Sequence, residues 1–440
     1  MAIIKPFNGY RYNTEKISDL GEVMAPPYDA LSDETTDNYL DKNPYNAARL
    51  ISQRSYESDT DCNNCYTRSR DSLISWINDN ILVKDDKPAY YIYEETVTVN
   101  RENYYNRGII ALLRLSDYET GDIVPCEEPS SDSKNDRLNM ISCTQSNNSL
   151  INCMYTETDK QLSSLLTTTA EKPADMKFKA INDIKHKLWV IDDPESIRLI
   201  TESLSAKKLF IVDGHNRYEA CLEYKKNQER NNPDYTGKES FNYVMTLISD
   251  SKDDGRIHLP IHRLVKYNYN LVEAYFIAGI QEHFHVEKII VDKLDDEMYE
   301  TMRKQISTQR KETRIAMYTG KDYFYRFTFR DNKYIDKLMP DVSSDYRYLD
   351  INILNKLILD EQLGINEQTD LSYTRDIQEG MKAVENNEFD CMFVMNPVRT
   401  TQLSAMTKTG EKLPKRSVSI FPKPATGIVI HKFTPSLQDV

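Results

Sequence analysis

The chain has 440 residues, enough for two or three domains at roughly 100–200 residues each, and 56 basic against 69 acidic side chains give a formal charge of −13. That balance excludes a broad electrostatic hold on nucleic acid or an anionic membrane and leaves room only for a local basic pocket. Glycine is scarce at 13 residues and tyrosine plentiful at 29, so the chain carries the large side chains that a packed core needs. The longest apolar run, Ala274 to Ile280, is far short of the roughly 20 residues that span a bilayer. The opening MAIIKPFNGYRY has no apolar signal segment, so the expectation is a cytoplasmic protein. Seven cysteines, an odd number, make no disulfide framework; Cys62 and Cys65, the single Cys-x-x-Cys, read as reduced thiols on a helix surface.

In chain order, Ala25-Pro26-Pro27-Tyr28-Asp29 and Asn43-Pro44-Tyr45-Asn46 are extended or turn segments, because proline restrains itself and its predecessor. Leu73, Ile74 and Ile77 recur at helical spacing. Runs from Ala89 to Val99 and from Arg107 to Leu115 predict a hairpin with a polar loop between them, and Leu138 and Ile141 predict a short helix capped by Asp132. Asp193-Pro194 opens a helix with Ile197, Ile200 and Leu204 on one face. The run Leu209 to Val212 reads as a buried strand that ends at Asp213-Gly214, where a helix bearing Tyr218, Cys221 and Leu222 begins at once. Strands are expected over Phe241–Ser249 and Ile257–Val265, joined by the polar turn Ser251–Arg256. Beyond them, Met298, Met302 and Ile306 mark a helix, and the aromatic alternation from Tyr323 to Phe329 marks a half-buried strand. Helices centre on Leu354, Met381 and Leu403, the last ended by Gly410, with strands near Met392–Met395 and Gly427–Ile430. Hairpins mixed with crossovers indicate an α+β architecture with a mixed sheet, divided into regions 1–165, 166–268 and 269–440.

The junction Val212-Asp213-Gly214-His215-Asn216-Arg217 is the sharpest local signal. A strand that delivers the chain to a helix start leaves backbone N–H groups pointing one way, and with the helix dipole they form an anion site. Gly214 permits close approach of a phosphate, Arg217 supplies a forked permanent charge, His215 adds a donor, and Asp213 is a candidate for holding Mg²⁺ or accepting a proton. The plainer alternative is that Asp213 caps the helix and Gly214 turns the corner. Neither GxxxxGK[ST] nor GxGxxG occurs, so a nucleotide would need a different cradle.

Asp-Gly-His-Asn-Arg-Tyr-Glu-Ala at 213–220 resembles the Asp-Gly-His-His-Arg-Tyr-Glu-Thr-Ala signature of the domain-of-unknown-function 1015 family. The resemblance runs in order along nearly the whole chain, through Ala25–Asp29, Asn43–Asn46, Asp136-Arg137-Leu138, Leu259–Arg263, Leu413–Ser417 and Phe421–Lys423. The junction is also similar to the phosphate-binding box of the ParB/sulfiredoxin fold, in which free-serine kinases carry a closely similar box and a Thr-His-Arg-like substrate motif. The resemblance therefore implies a ParB/sulfiredoxin-like core with flanking α+β regions, and a nucleotide-dependent phosphotransferase using ATP or ADP with Mg²⁺ on a small hydroxyl substrate, possibly free L-serine. This sequence departs from the family pattern at Cys126, Asn216, Ile261, Arg416 and Val418, where the family has His, His, Thr, Lys and Thr. A non-catalytic nucleotide-binding regulatory module and a degenerate structural member remain as alternatives. A DNA-binding partition role is disfavoured by the acidic balance and by the lack of a basic recognition helix.

In this reading Gly214, His215, Asn216 and Arg217 bind the nucleotide phosphates, with Asp213 as a tentative Mg²⁺ ligand. Glu127, with Asp213 or His215 assisting, takes the proton of the substrate hydroxyl; Glu128 is a lesser candidate. His262, Arg263, Arg416 and Ser417 orient the substrate, and Tyr28 and Asp29 line the same cleft. Lys415 and Lys423 extend a basic cluster around Arg416. Neither His258 with His262 nor His283 with His285 has a nameable third ligand, and no base is placed beside Cys126 to make it a nucleophile.

Overall fold

Period-two alternation decides the architecture of the first half of the chain: Ile109, Ala111 and Leu113 enter one hydrophobic layer, and Ile110 and Leu112 the other. A strand buried on both faces needs cover on both, and the sheet is sandwiched accordingly. The computed structural model describes residues 2–99, 101–127, 131–156, 158–179, 183–205, 207–253, 255–267, 272–291, 296–307, 312–330, 332–365 and 370–435. They fall into two compact units, Met1–Pro125 with Pro129–Ile257 and Ile420–Val440, and Cys126–Glu128 with His258–Ser419.

The first unit is built on a nine-stranded sheet of β1 (Ile4–Lys5), β2 (Tyr90–Val99), β3 (Glu102–Arg114), β4 (Ile123–Pro125), β5 (Ile151–Tyr155), β6 (Met176–Lys179), β7 (Lys185–Ile191), β8 (Leu209–Asp213) and β9 (Tyr243–Asp250). Their order is β4-β8-β5-β9-β3-β2-β7-β6 with β1 against β3. The β8–β4 and β9–β5 pairs are parallel and the other pairs antiparallel, so the sheet is mixed and the fold α+β. Strands from both 1–165 and 166–268 share it. Helices cover both faces: Ile141 of α2 (Ser131–Thr144), Ile200 and Leu204 of α3 (Pro194–Ser205) and Tyr218 and Leu222 of α4 (His215–Asn231) join Ile92, Ile151 and Ile211 on one, whereas Leu73 and Trp76 of α1 (Cys65–Asn78) lie in the opposite layer with Tyr91, Met245 and Leu247.

Helix α3 begins at Pro194, with Asp193 accepting from the Ser196 N–H at 2.9 Å, the start that its sequence predicts. Other boundaries moved. The polar loop expected before Arg107 is strand, since Tyr105 pairs with Thr96 and Tyr104 with Val97, aromatic against β-branched partners. Helix α2 starts at Ser131, which puts Asp132 inside its first turn instead of at its cap. The expected strand Ile257–Val265 breaks into Ile257–Leu259 and His262–Val265 around Pro260, which has no N–H for a ladder. Gly427, at φ +97°, turns the chain where a strand was expected, and the strand is His431–Lys432. No described helix is long and apolar enough to cross a membrane.

The second unit has a six-stranded antiparallel sheet of β10 (His262–Val265), β11 (Phe284–Ile290), β12 (Arg314–Tyr318), β13 (Tyr323–Phe329), β14 (Leu371–Thr374) and β15 (Cys391–Val394), in the order β11-β13-β12-β15-β10-β14. Met298, Met302 and Ile306 of helix α5 (Asp296–Ile306) and Met381 and Val384 of α6 (Ile377–Glu385) pack onto Ala316, Phe324, Met392 and Val394. Phe324 and Phe327, on opposite faces of β13, are both fully buried, so this strand is covered on two sides where the alternation predicted one. Helix α7 (Thr400–Thr409) ends at Gly410 in the left-handed conformation, as expected.

Candidate functional site

Four buried residues, Leu209 to Val212, carry β8 into the corner, and the pairing of β8 with β5 shifts register between Ile211 and Asp213. Such an irregularity re-aims the side chain that follows it. Asp213 is thereby set opposite Asn152, and Gly214, at φ +91°, turns the chain into α4 without any side-chain cap. The left-handed turn is one reason for glycine. The other is Arg217: a Cβ on Gly214 would lie 3.1 Å from its Nε and Nη2.

Arg217 is buried and folds back over this turn. It donates to an Asp213 carboxylate oxygen at 2.7 Å and to the Leu150 carbonyl, while its buried Nε has no hydrogen-bond partner among the described residues. Lys423 bridges Asp213, at 3.0 Å, and Asp29. Burial by itself would lift the Asp213 carboxyl, but the Lys423 and Arg217 charges outweigh it and hold it well below the usual carboxylate range. Tyr28 and Asp29 occupy one 3₁₀ turn, and the Tyr28 ring lies 4.0 Å from the Arg137 guanidinium and 5.8 Å from that of Arg217. His215 is buried and Asn216 half-buried at the start of α4.

The first unit thus gathers Tyr28, Asp29, Asp213, Gly214, His215, Asn216 and Arg217 around one corner, and adds Lys423 and Arg137. Lys423, grouped by sequence with Lys415, Arg416 and Ser417, belongs instead to this corner. Arg137 was legible only as part of a motif; nothing in the local pattern pointed it at Tyr28. Three cations, Arg137, Arg217 and Lys423, face three carboxylates, Asp136, Asp213 and Asp29, so the corner compensates its own charge.

Glu127, His262, Arg263, Arg416 and Ser417 lie in the second unit. The Glu127 carboxylate accepts from the backbone N–H groups of Ser417 at 3.0 Å and Val418 at 3.3 Å. The Ser417 hydroxyl donates to the Pro414 carbonyl at 2.6 Å. Arg263 donates to the carbonyls of Ile261 and, at 3.1 Å, Arg416. The guanidiniums of Arg416 and Arg263 lie 4.5 and 5.4 Å from the ring of Tyr373, a residue that no sequence signal singled out. His262 accepts from the Met395 N–H at 3.1 Å, and burial together with the Arg263 charge lowers its pKa to about 3. It is a neutral strand residue, and the positive charge here rests on Arg263 and Arg416. Burial pushes the Cys126 thiol up to about 12, leaving it protonated at neutral pH. Glu128 lies outside the described residues. Among the described residues there is no group of three or more His, Cys, Asp or Glu side chains that could hold a metal.

The chain belongs to the family described as a protein of unknown function, DUF1015, whose model matches residues 4–352. That match ends before Tyr373, Arg416, Ser417 and Lys423. No curated protein matches the chain. Among solved structures it is similar to a conserved hypothetical protein from Pyrococcus furiosus, at 11% identity and a TM-score of 0.32 over 73% of this chain and 92% of that one. It is similar also to a free serine kinase in complex with AMP, at 10% identity and a TM-score of 0.34 over 72% and 89%. SbnI from Staphylococcus aureus gives 10% identity and a TM-score of 0.32 over 75% and 85%.

Proposed function

We propose that this chain binds a nucleotide by its phosphates at the start of α4 and transfers a phosphoryl group to a small hydroxyl acceptor, free L-serine foremost. The observation that carries the nucleotide reading is the buried Nε of Arg217, without a hydrogen-bond partner among the described residues, beside a helix start that has no side-chain cap. An N–H in that position lacks an acceptor, and the amides and dipole of the helix favour an anionic one. The family resemblance at 213–220 supports the same assignment.

An entering phosphate meets cations already paired with carboxylates, so binding is an exchange in which phosphate takes over contacts that Asp213 and Asp29 make with Arg217 and Lys423. Asp213, held strongly ionised between two cations, is a poor proton acceptor. Each Asp213 carboxylate oxygen already receives a cation, Arg217 or Lys423, so a Mg²⁺ held there would compete with them. Arg263 and Arg416 supply the charge for an acceptor carboxylate. Phosphoryl transfer asks mainly for placement and charge neutralisation, which these residue types provide.

The internal charge compensation of the corner favours a second reading, a regulatory module that binds nucleotide without transferring phosphate. Titration calorimetry with ATP and ADP, followed by ³¹P NMR of reactions containing serine and Mg²⁺, separates the readings. Phosphoserine formation supports the transferase; nucleotide binding without product supports the module; no nucleotide binding overturns both.

A further inference from the structure

In the second unit, β11 ends the sheet, with β13 on one side and no described strand on the other. It is seven residues long and has no proline, whereas the edges of the first sheet are blunted: β4 has three residues and ends in Pro125, and β6 has four, two of them lysines. The Arg330 N–H donates to the His283 carbonyl at 3.1 Å and the Val291 N–H to that of Asp322 at 3.0 Å, one step beyond each end of the β11–β13 register. Odd-numbered residues of β11 therefore bond to β13, and Phe284, Val286, Lys288 and Ile290 turn their N–H and C=O groups to the open edge. Among the described residues the N–H groups of Val286 and Lys288 have no acceptor. Ile290 is 68% exposed. Tyr323, paired with Ile290, and Tyr325 both donate their hydroxyls to Glu273, and the neighbours of Glu273 in sequence, Val272 and Tyr275, are 50% and 80% exposed. Apolar groups left in water beside an open sheet edge mark a surface that another chain covers.

We infer that β11 is the contact through which two copies of this chain pair, antiparallel about a two-fold axis through Val286, into one continuous sheet. Such an axis runs perpendicular to the sheet, so opposed residues share a face and the register must centre on a residue. Only centres at 286, 287 and 288 pair most of the outward residues. A centre at 287 sets Glu287 against itself, and one at 288 sets Lys288 against itself, like charges directly opposed. The centre at 286 opposes Val286 to Val286 and, on the other face, His285 of each copy to Glu287 of the other. His285 already lies 3.8 Å from its own Glu287, which Arg326 holds from β13 at 3.0 Å, so acid and imidazole alternate across the join. The Lys288 ammonium is folded over the Tyr323 ring at 3.5 Å and does not project from the edge. This charge complementarity selects a second copy as the strand that is added. The pairing is independent of the nucleotide reading.

Sedimentation velocity of the full chain over a range of concentrations, with amide hydrogen exchange read at both ends of that range, tests the pairing. A monomer is expected to pass to a dimer as concentration rises, and the amides of Val286 and Lys288 to exchange more slowly in the dimer. Val286→Pro removes one outward donor and no bond to β13, so it is expected to stay monomeric at every concentration with its fold intact. His285→Glu sets a second acid against Glu287 and is expected to weaken dimerisation by about tenfold. A parent protein that is monomeric throughout overturns the inference, as does a dimer whose 286 and 288 amides exchange as fast as the monomer's, whatever Val286→Pro does. Slow exchange at these amides in a monomer overturns it too, since some other strand then covers the edge. A His285→Glu dimer as tight as the parent's overturns the register.

Discussion

Tyr28 in the first unit and Tyr373 in the second each lie beside two guanidinium groups, at 4.0 and 5.8 Å and at 4.5 and 5.4 Å, yet the cations are held by different means. Arg137 and Arg217 answer to the carboxylates of Asp136 and Asp213. Arg263 is received by carbonyl oxygens, and Arg416 is exposed on a left-handed backbone at φ +56°. A carboxylate cancels the charge that it fixes, whereas a carbonyl fixes a guanidinium and leaves its formal charge standing. The first pair is thus part of what holds its unit together and must exchange partners to bind an anion. In the second, exposed Arg416 is placed to meet one directly.

Removing Arg217 breaks this comparison most severely if it is wrong. Arg217→Ala strips Asp213 of one of its two cations in a buried corner, and losses of about 3 kcal/mol are expected for a buried pair broken on one side. Denaturant unfolding measures the loss, and ADP affinity should fall with it. An Arg217→Ala protein as stable as the parent contradicts the structural half of the contrast.

The third buried guanidinium of the first unit, Arg256, sharpens the point with pH. It bonds Asn106 at 3.1 Å and Ser249, and Asn106 in turn donates to fully buried Glu95 at 2.7 Å. Tyr93, which also reaches Glu95, is hydrogen-bonded to His186 at 2.6 Å. Burial lifts the Glu95 carboxyl from 4.5 to about 7, despite the Asn106 and Tyr93 bonds and the Arg256 charge. A carboxyl whose folded value is raised favours the folded state fully below about 4.5, and that contribution is lost as pH climbs through about 7. Glu95→Gln cannot ionise and should therefore be more stable than the parent at pH 8, by up to roughly 3 kcal/mol, with the advantage vanishing near pH 4. His186, lowered by burial to about 3, acts in the opposite sense, losing its contribution as pH falls from 6.5 toward 3. The parent curve should thus bend on both sides, while the Glu95→Gln curve keeps only the acid limb.

Gly214→Ala is a smaller step at the corner itself. An L-residue at φ +91° costs roughly 1–2 kcal/mol, and its Cβ, 3.1 Å from Arg217, nudges the guanidinium aside. A lower thermal midpoint together with weaker ADP binding is expected. A fall in stability with ADP affinity unchanged would show that the corner is built for packing alone.

The corner was legible because its parts are contiguous: a buried strand, a glycine turn and an arginine one helical turn on put their chemistry within six residues, 212–217. The second site was half legible. Leu259–Arg263 and Leu413–Ser417 announced Arg263 and Arg416, but Tyr373 reaches them through the antiparallel pairing of β14 with β10, a long-range register that local pattern cannot supply. Lys423 was misgrouped because closeness in sequence to Arg416 outweighed a partner 210 positions away, Asp213. The strand boundaries that moved did so where Pro260 and Gly427 imposed backbone limits that a run of apolar residues conceals.

The smallest expected effect on stability is also the one that tests the second half of the contrast. Arg416 is exposed, and its guanidinium touches the Tyr373 face, so Arg416→Ala should change unfolding free energy by no more than about 0.5 kcal/mol. Its formal charge beside Arg263 should still matter to an anion, and serine affinity is expected to fall by severalfold, more at low ionic strength than at high. Unfolding curves and serine titrations at two salt concentrations measure both. A large loss of stability would make Arg416 a structural cation like Arg217 and erase the difference between the two tyrosine sites. A serine affinity unchanged at either salt would leave Arg263 to carry the carboxylate alone.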